Sequence, residues 1–179
     1  MRQALKLHPD SRSAAVTRLE ARVVRLSATG LSLRFELTGD VVGLVVPRRQ
    51  DPERADELWR TTCFEAFLQE AGGDGYCEVN LSPSTRWAAY GFDGYRAGMR
   101  TLQLGAPPSI AVDAGPDHLT LSATLDLASL ARPCRLGLTA VTEDADGTIA
   151  YWSLAHPPGR ADFHHPDCLA LELAPTEPK

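Results

Sequence analysis

The chain has 179 residues, enough for one domain that buries a substantial core without disulfide or metal cross-links. Hydrophobic residues make up 44% of the sequence and charged residues 23%, which are ordinary values for a globular protein. The net charge of −5 at pH 7 gives no electrostatic basis for binding nucleic acid or an acidic membrane, so neither partner is expected.

No segment has the apolar length of a signal peptide or a membrane span, and we therefore expect a cytoplasmic protein. In that compartment its four cysteines are reduced, and we interpret them as buried structural thiols because none forms a C-x-x-C pair. We expect a loosely held N-terminal arm over residues 1–17, one domain over residues 18–174 and a tail over residues 175–179.

Alternation of apolar and polar residues, the period of a half-buried strand, recurs along the chain and is clearest from Leu31 to Thr38. A run over residues 41–46 is apolar on both faces, which is typical of a central strand. Further strands are predicted over residues 19–26, 61–69, 76–82, 86–92, 118–127, 135–142, 148–154 and 169–173. About ten strands without a long helix predict an all-β fold, an antiparallel β-sandwich of the jelly-roll or immunoglobulin-like type.

The chemically distinctive residues concentrate between Leu58 and Arg96, and the middle of this stretch predicts a β-hairpin. Residues 72–75, with the sequence GGDG, supply the positive-φ positions of its turn. The turn then places Glu65 opposite Asn80. One face of the hairpin is apolar and comprises Phe64, Ala66, Leu68, Cys77, Val79 and Leu81. The other face comprises Cys63, Glu65, Phe67, Gln69, Tyr76, Glu78, Asn80 and Ser82.

The second face of this hairpin groups side chains that suit a sugar ligand. Glu65 and Asn80 are directly opposed, ~5 Å apart at Cβ, with Glu78 on the same face. Their acceptors and donors have the planar layout that pairs of sugar hydroxyls match. Aromatic residues, whose faces pack against pyranose C–H groups, flank the hairpin at Trp59, Trp87, Tyr90 and Tyr95. The alternative is that the glutamates face solvent and the aromatic residues belong to the core.

Two glutamates on one face also allow a catalytic alternative. Glycosidases place two carboxyl groups roughly 5–9.5 Å apart across the scissile bond, a spacing that Glu65 and Glu78 can reach. The short chain offers no further loops to build a deep cleft, so we favour a non-catalytic role over a weakly active hydrolase. An assembly role is a further alternative, and it would show as a large apolar patch over Trp59 and Trp87.

A haem-binding redox module is another alternative, because Met99 with His156, His164 or His165 offers an axial ligand pair. The spacing of these histidines matches no zinc motif, and no metal ligand is predicted. Residues 144–147 resemble the start of a calcium loop that lacks its downstream glutamate, and a hairpin turn accounts for them.

Three blocks of the sequence, taken in order, resemble the DOMON-like group of proteins. The blocks are LW-x-x-TCFEAFL, then YCEVNLSPSTRWAAYGFDGYR, then YWSLAHPPGRADFHHPDCLALEL. Such sequences are similar to family 9 carbohydrate-binding modules and to the wider DOMON superfamily. The resemblance covers roughly residues 20–174, so the domain over residues 18–174 is expected to be a DOMON-like β-sandwich.

This resemblance implies a ligand site on or beside one sheet, binding sugars or haem, with aromatic platforms and polar strand residues around the ligand. We therefore predict a non-catalytic domain that binds a saccharide or sugar-like small molecule and needs no cofactor. The residues expected at its ligand site are the aromatic Trp59, Trp87, Tyr90 and Trp152 and the polar Glu65, Glu78, Asn80 and His164.

Overall fold

A computed structural model describes residues 2–174, and these residues form two antiparallel β-sheets packed face to face. The five-stranded sheet contains, in spatial order, β1 (Arg2–Ala4), β3 (Val16–Arg25), β4 (Gly30–Gly39), β10 (His118–Asp126) and β9 (Ser109–Ala114). The eight-stranded sheet contains, in spatial order, β2 (Lys6–Leu7), β12 (Ile149–Ser153), β11 (Cys134–Glu143), β5 (Cys63–Glu70), β6 (Tyr76–Leu81), β7 (Trp87–Phe92) and β8 (Arg100–Thr101), and β13 (Leu171–Leu173) also pairs with β11.

In the described part of the chain the helical content is limited to short 3₁₀ turns at Val41–Gly43, Leu58–Arg60, Ala128–Ala131 and Pro166–Cys168. Within residues 2–174 no helix is long and apolar enough to cross a membrane. The predicted all-β sandwich is therefore confirmed, with thirteen strands among residues 2–174 instead of about ten. Four of them were not predicted: β1, β2 and β8 are too short to show alternation, and β9 was also missed, while one predicted strand is absent. The predicted tail over residues 175–179 lies outside the described residues.

The predicted central strand over residues 41–46 is wrong. Val41–Gly43 is a 3₁₀ turn, and the side chain of Val42 is 79% exposed. Beyond the turn, Leu44 makes a single β-bridge with Asp144 and Val45 donates to the carbonyl of Glu143. The run is apolar on both faces, but it has no neighbouring strand on both sides, so only part of it is buried.

The inner faces of the two sheets form the main hydrophobic core. Phe35 on β4 packs against Phe64 on β5, with ring centroids 5.0 Å apart. The residues of β4 alternate between buried and partly exposed, because the other face of the five-stranded sheet meets solvent. Strands β5 and β6 are instead buried on both faces, since a second hydrophobic cluster lies on the outer side of the eight-stranded sheet. Loops outside the strands must therefore cover the outer side of the eight-stranded sheet.

The N-terminal segment is part of both sheets, which corrects the expectation of a loosely held arm. Strand β1 pairs with β3 in one sheet, and β2 pairs with β12 in the other. The buried carboxylate of Asp144 holds the segment further on, accepting hydrogen bonds from the Ser13 hydroxyl at 2.8 Å and the Ala14 amide at 2.6 Å. The sequence of the arm shows no alternation because strands of three and two residues are too short to carry a period.

Replacing Asp144 with alanine is expected to lower the free energy of unfolding by about 1–2 kcal/mol, because Ser13 and Ala14 lose a buried acceptor. Proteolytic cleavage in the N-terminal segment should increase in parallel. Asp146→Ala is the matched control, since Asp146 lies exposed in the same turn and accepts from the Thr148 amide. Equal losses in the two variants, measured by urea denaturation, would contradict this role for Asp144.

Candidate functional site

The outer face of the eight-stranded sheet carries a cavity of about 440 Å³. Its floor is formed by outward-facing strand residues, namely Glu65, Phe67, Glu78, Phe92, Val141 and Tyr151. Its walls come from three covering loops and comprise Trp59, Arg96, Met99, Ala161, Phe163 and His164. The floor follows from the hairpin register, which is confirmed: Glu65 pairs with Asn80, and residues two apart point to the same side.

Close contacts fix the wall loops on the sheet. A Cβ on Gly137 of β11 would lie 3.0 Å from the carbonyl oxygen of Cys168, so glycine allows the C-terminal loop to approach the strand. The guanidinium of Arg96 is 2.7 Å from the carboxylate of Asp162, which joins two of the loops. Phe163 packs edge-on against Tyr151 with ring centroids 5.8 Å apart. The cavity is thus bounded by anchored segments.

Two buried carboxyl groups, 2% and 6% exposed, lie in the cavity floor at Glu65 and Glu78. The Glu65 carboxyl accepts a hydrogen bond from the Thr139 hydroxyl at 2.9 Å. Burial, and then the negative charge of Glu78, raise the pKa of Glu65 to about 8. Burial also raises the pKa of Glu78, while a hydrogen bond from Asn80 and the charge of Arg96 oppose the rise. At pH 7 the carboxyl group of Glu65 is therefore neutral and can donate a hydrogen bond, and Glu78 beside it is the better hydrogen-bond acceptor.

His164 stands at the wall as a neutral imidazole. Its Nδ1 is 2.7 Å from the hydroxyl of Tyr76, and its Nε2 is 3.8 Å from the carboxylate of Glu78. The Tyr76 oxygen accepts from the Arg96 amide, which leaves its O–H free to donate to Nδ1. Burial, and then the charge of Arg96, lower the pKa of His164 to about 4. The ring edge-packs against Phe92 with centroids 5.2 Å apart.

Four of the eight predicted site residues line the cavity, namely Trp59, Glu65, Glu78 and His164. Two others support the lining from behind. Asn80 is fully buried and donates to Glu78 at 2.7 Å, while its Oδ1 has no hydrogen-bond partner among the described residues. Tyr90 packs edge-on against Trp59 at 5.9 Å, and its hydroxyl donates to Asp56 at 2.6 Å.

The remaining two predicted residues, Trp87 and Trp152, do not lie at the cavity, which corrects their expected role as platforms. Both side chains point to the inner side of the eight-stranded sheet and pack with the main core. Trp152 is buried there and its indole N–H donates to the Thr142 hydroxyl at 3.0 Å. The physical reason is strand alternation, which sends the neighbouring Tyr151 outward instead.

Several lining residues were absent from the predicted site. Phe67 and Tyr151 carried a usable signal, because each has the strand parity of the outward face. Phe163 and Arg96 lie on loops, where no periodicity indicates direction, so only the folded chain brings them to the cavity. Across residues 2–174 no three His, Cys, Asp or Glu side chains are arranged to hold a metal ion.

Comparison by sequence finds no relative: no protein-family model matches the chain, and no curated protein sequence matches it significantly. Comparison by structure does find similar folds. A Bacteroides uniformis protein provisionally described as carbohydrate-binding has a TM-score of 0.67 at 13% identity, over 94% of this chain and 83% of its own.

Two further similar structures are of a family 9 carbohydrate-binding module from Caldicellulosiruptor kristjanssonii. The complex with cellotriose has a TM-score of 0.57 at 11% identity, over 89% of this chain and 74% of the module. The complex with glucose has a TM-score of 0.55 at 11% identity, over 98% of this chain and 86% of the module. At these identities the likeness shows a shared fold.

Proposed function

We propose that this chain is a non-catalytic binding domain that holds one or two rings of a saccharide in the outer-face cavity. The observation that carries the proposal is the meeting of aromatic walls and buried carboxyl groups in one cavity. Its volume of about 440 Å³ falls within the range of about 300–1,000 Å³ found for small-molecule pockets. A ligand there has both apolar surfaces and directed hydrogen-bonding partners.

The polar groups in the cavity match the needs of sugar hydroxyls. A hydroxyl both donates and accepts, and the neutral Glu65 carboxyl beside Glu78 offers a donor and acceptors within one floor. Because the Nδ1 of His164 accepts a hydrogen bond from the Tyr76 hydroxyl, the ring proton is on Nε2, which is a further donor. Trp59, which is partly exposed, offers an aromatic surface for the C–H face of a pyranose ring. The similar modules bound to cellotriose and glucose support the same ligand class.

A hydrolase is the second candidate, because two carboxyl groups in one cavity differ in the ease with which they ionise. Glu65 would act as the acid and Glu78 as the base. Two contacts favour binding over catalysis: Glu65 is held by Thr139 and Glu78 by Asn80, both within the buried floor. Product formation from any bound disaccharide, abolished in Glu65→Gln, would identify the hydrolase.

The haem alternative is less well supported by the cavity. Met99 and His164 both line it, whereas His156 bonds to the Lys6 carbonyl and His165 caps the turn at Asp167. The Nδ1 of His164 is hydrogen-bonded to the Tyr76 hydroxyl, and the Glu78 carboxylate lies 3.8 Å from Nε2, the nitrogen that remains for an iron. These residues therefore do not fit an axial His–Met pair.

Titration calorimetry with glucose, galactose, mannose, cellobiose and cellotriose tests the proposed function. We expect heat of binding from at least one of them. Trp59→Ala should weaken the affinity about tenfold through lost stacking, and Glu78→Gln should weaken it by a similar factor through a lost carboxyl acceptor.

Glu172→Gln on β13 is the control, since its exposed carboxylate lies outside the cavity lining, and its affinity should equal that of the wild type. No heat from any of these sugars, with the protein shown to be folded by circular dichroism, would contradict saccharide binding.

A further inference from the structure

The floor of the cavity carries two carboxyl groups, Glu65 and Glu78, and no lysine or arginine among the described residues forms an ion pair with either. The guanidinium of Arg96 reaches the wall but is ion-paired with Asp162 at 2.7 Å. His164, the other basic group facing Glu78, is neutral near pH 7 because its pKa is lowered to about 4. Glu78 accepts a hydrogen bond from the neutral amide of Asn80, and within residues 2–174 its one charged partner within 4 Å would be His164, which is neutral.

The aromatic lining is suited to a cation as well. Five aromatic side chains of the floor and walls line the same cavity, namely Trp59, Phe67, Phe92, Tyr151 and Phe163. The face of an aromatic ring attracts an ammonium group electrostatically, most strongly for tryptophan, and more so where water is excluded. Aromatic rings and a buried carboxyl pair lining one cavity are a combination that can recognise an organic ammonium ion.

We propose that the preferred saccharide carries a protonated amine, so that the cavity selects amino sugars over neutral sugars of the same shape. This inference rests on the proposed function and names the substrate class of that site. The ammonium group lies between Glu65 and Glu78, and the ring carbons pack on the aromatic walls. No bond is made or broken.

The proposal predicts a characteristic pH course. The ammonium favours ionised Glu65, whose pKa in the free cavity is about 8, so binding releases a proton and tightens as the pH rises towards 8. The other ionisable groups around the pair are Cys63, Tyr76, Tyr90, Arg96, Asp162 and His164. Affinity falls again at higher pH because an amine with a pKa of about 8 loses its charge.

Calorimetry at pH 7 with glucose and its 2-amino, 3-amino and 6-amino derivatives tests the selection. At least one amino derivative should bind about tenfold tighter than glucose, a difference of about 1.4 kcal/mol. Its N-acetyl form, which carries no charge, should lose the advantage. If glucose binds and no amino derivative binds more tightly, the inference fails while the proposed function stands. If none of these sugars nor the wider panel binds, the proposed function fails.

Two variants separate charge recognition from a general loss of structure. Glu78→Gln should weaken the amino sugar more than glucose, so that the variant binds the two with equal affinity, whereas equal weakening of both ligands would overturn the inference. In buffers of different ionisation enthalpy, the wild type should release about one proton on binding the amino sugar, and Glu65→Gln should release none. Proton release that persists in Glu65→Gln would also overturn it.

Discussion

Replacing Phe64 with alanine is expected to lower the free energy of unfolding by about 3–5 kcal/mol, the cost of removing a phenyl ring from a packed core. The Phe64 side chain is fully buried and packs on Phe35 across the interface between the sheets, with ring centroids 5.0 Å apart. Collapse of the cavity left behind is opposed by the strands on both sides of Phe64, which are paired along their length. The loss should appear as a lower urea midpoint with an unchanged slope.

Val42→Ala provides the control for Phe64→Ala. The side chain of Val42 is 79% exposed, so its truncation should change stability by no more than about 0.5 kcal/mol. A loss below about 1 kcal/mol in Phe64→Ala would mean that the two sheets do not share the core described above.

The second large effect is expected from pH. The pKa of Glu65 is raised to about 8 in the folded protein, above its usual value of 4.5, so the folded state holds a proton that the unfolded state has released. The contribution of the protonated Glu65 to the free energy of unfolding is fully present below pH 4.5 and is lost as the pH rises through 8. Between pH 6.5 and 8 the free energy of unfolding should fall by about 2 kcal/mol.

His164 produces the opposite slope at lower pH. Its pKa is lowered from 6.5 to about 4, so the unfolded state binds more protons there and stability rises with pH across that window. The two groups oppose each other below pH 6.5, and above it the Glu65 effect is unopposed by His164. The fall between pH 6.5 and 8 is therefore the part to measure.

Glu65→Gln isolates the contribution of the carboxyl, because glutamine is neutral at every pH and still accepts from Thr139. The variant should gain stability relative to wild type as the pH rises from 6.5 to 8. Glu172→Gln, which alters an exposed carboxylate, should follow the wild-type curve. Parallel curves for Glu65→Gln and wild type would show that Glu65 ionises without cost to the fold.

The sequence predicted the elements whose partners are close along the chain. The register of the hairpin, with Glu65 opposite Asn80, followed from a glycine-rich turn and two alternating strands. The N-terminal strands were missed because they pair with β3 and β12, and two- or three-residue strands carry no period. The sequence pattern predicted strand pairing only where the two paired strands are close together along the chain.

The candidate site was predicted in its polar half and only partly in its aromatic half. Glu65 and Glu78 were placed correctly on the outward face because strand parity determines their direction. Trp152 was misplaced because its aromatic character was given more weight than its parity, which assigns Tyr151 to the cavity. Residues on covering loops, such as Phe163, have no parity to reason from, and their positions depend on tertiary packing.

The N-terminal segment has a mechanical consequence for the cavity. Leu5 is buried and is the one residue between β1 in one sheet and β2 in the other. The chain therefore crosses from one sheet to the other within a single residue at this edge. His8 then donates its amide hydrogen to the carbonyl of Tyr151, whose ring lies in the cavity floor. Shear between the layers is thereby restrained at this edge, and the strand that presents Tyr151 shares that stiffness.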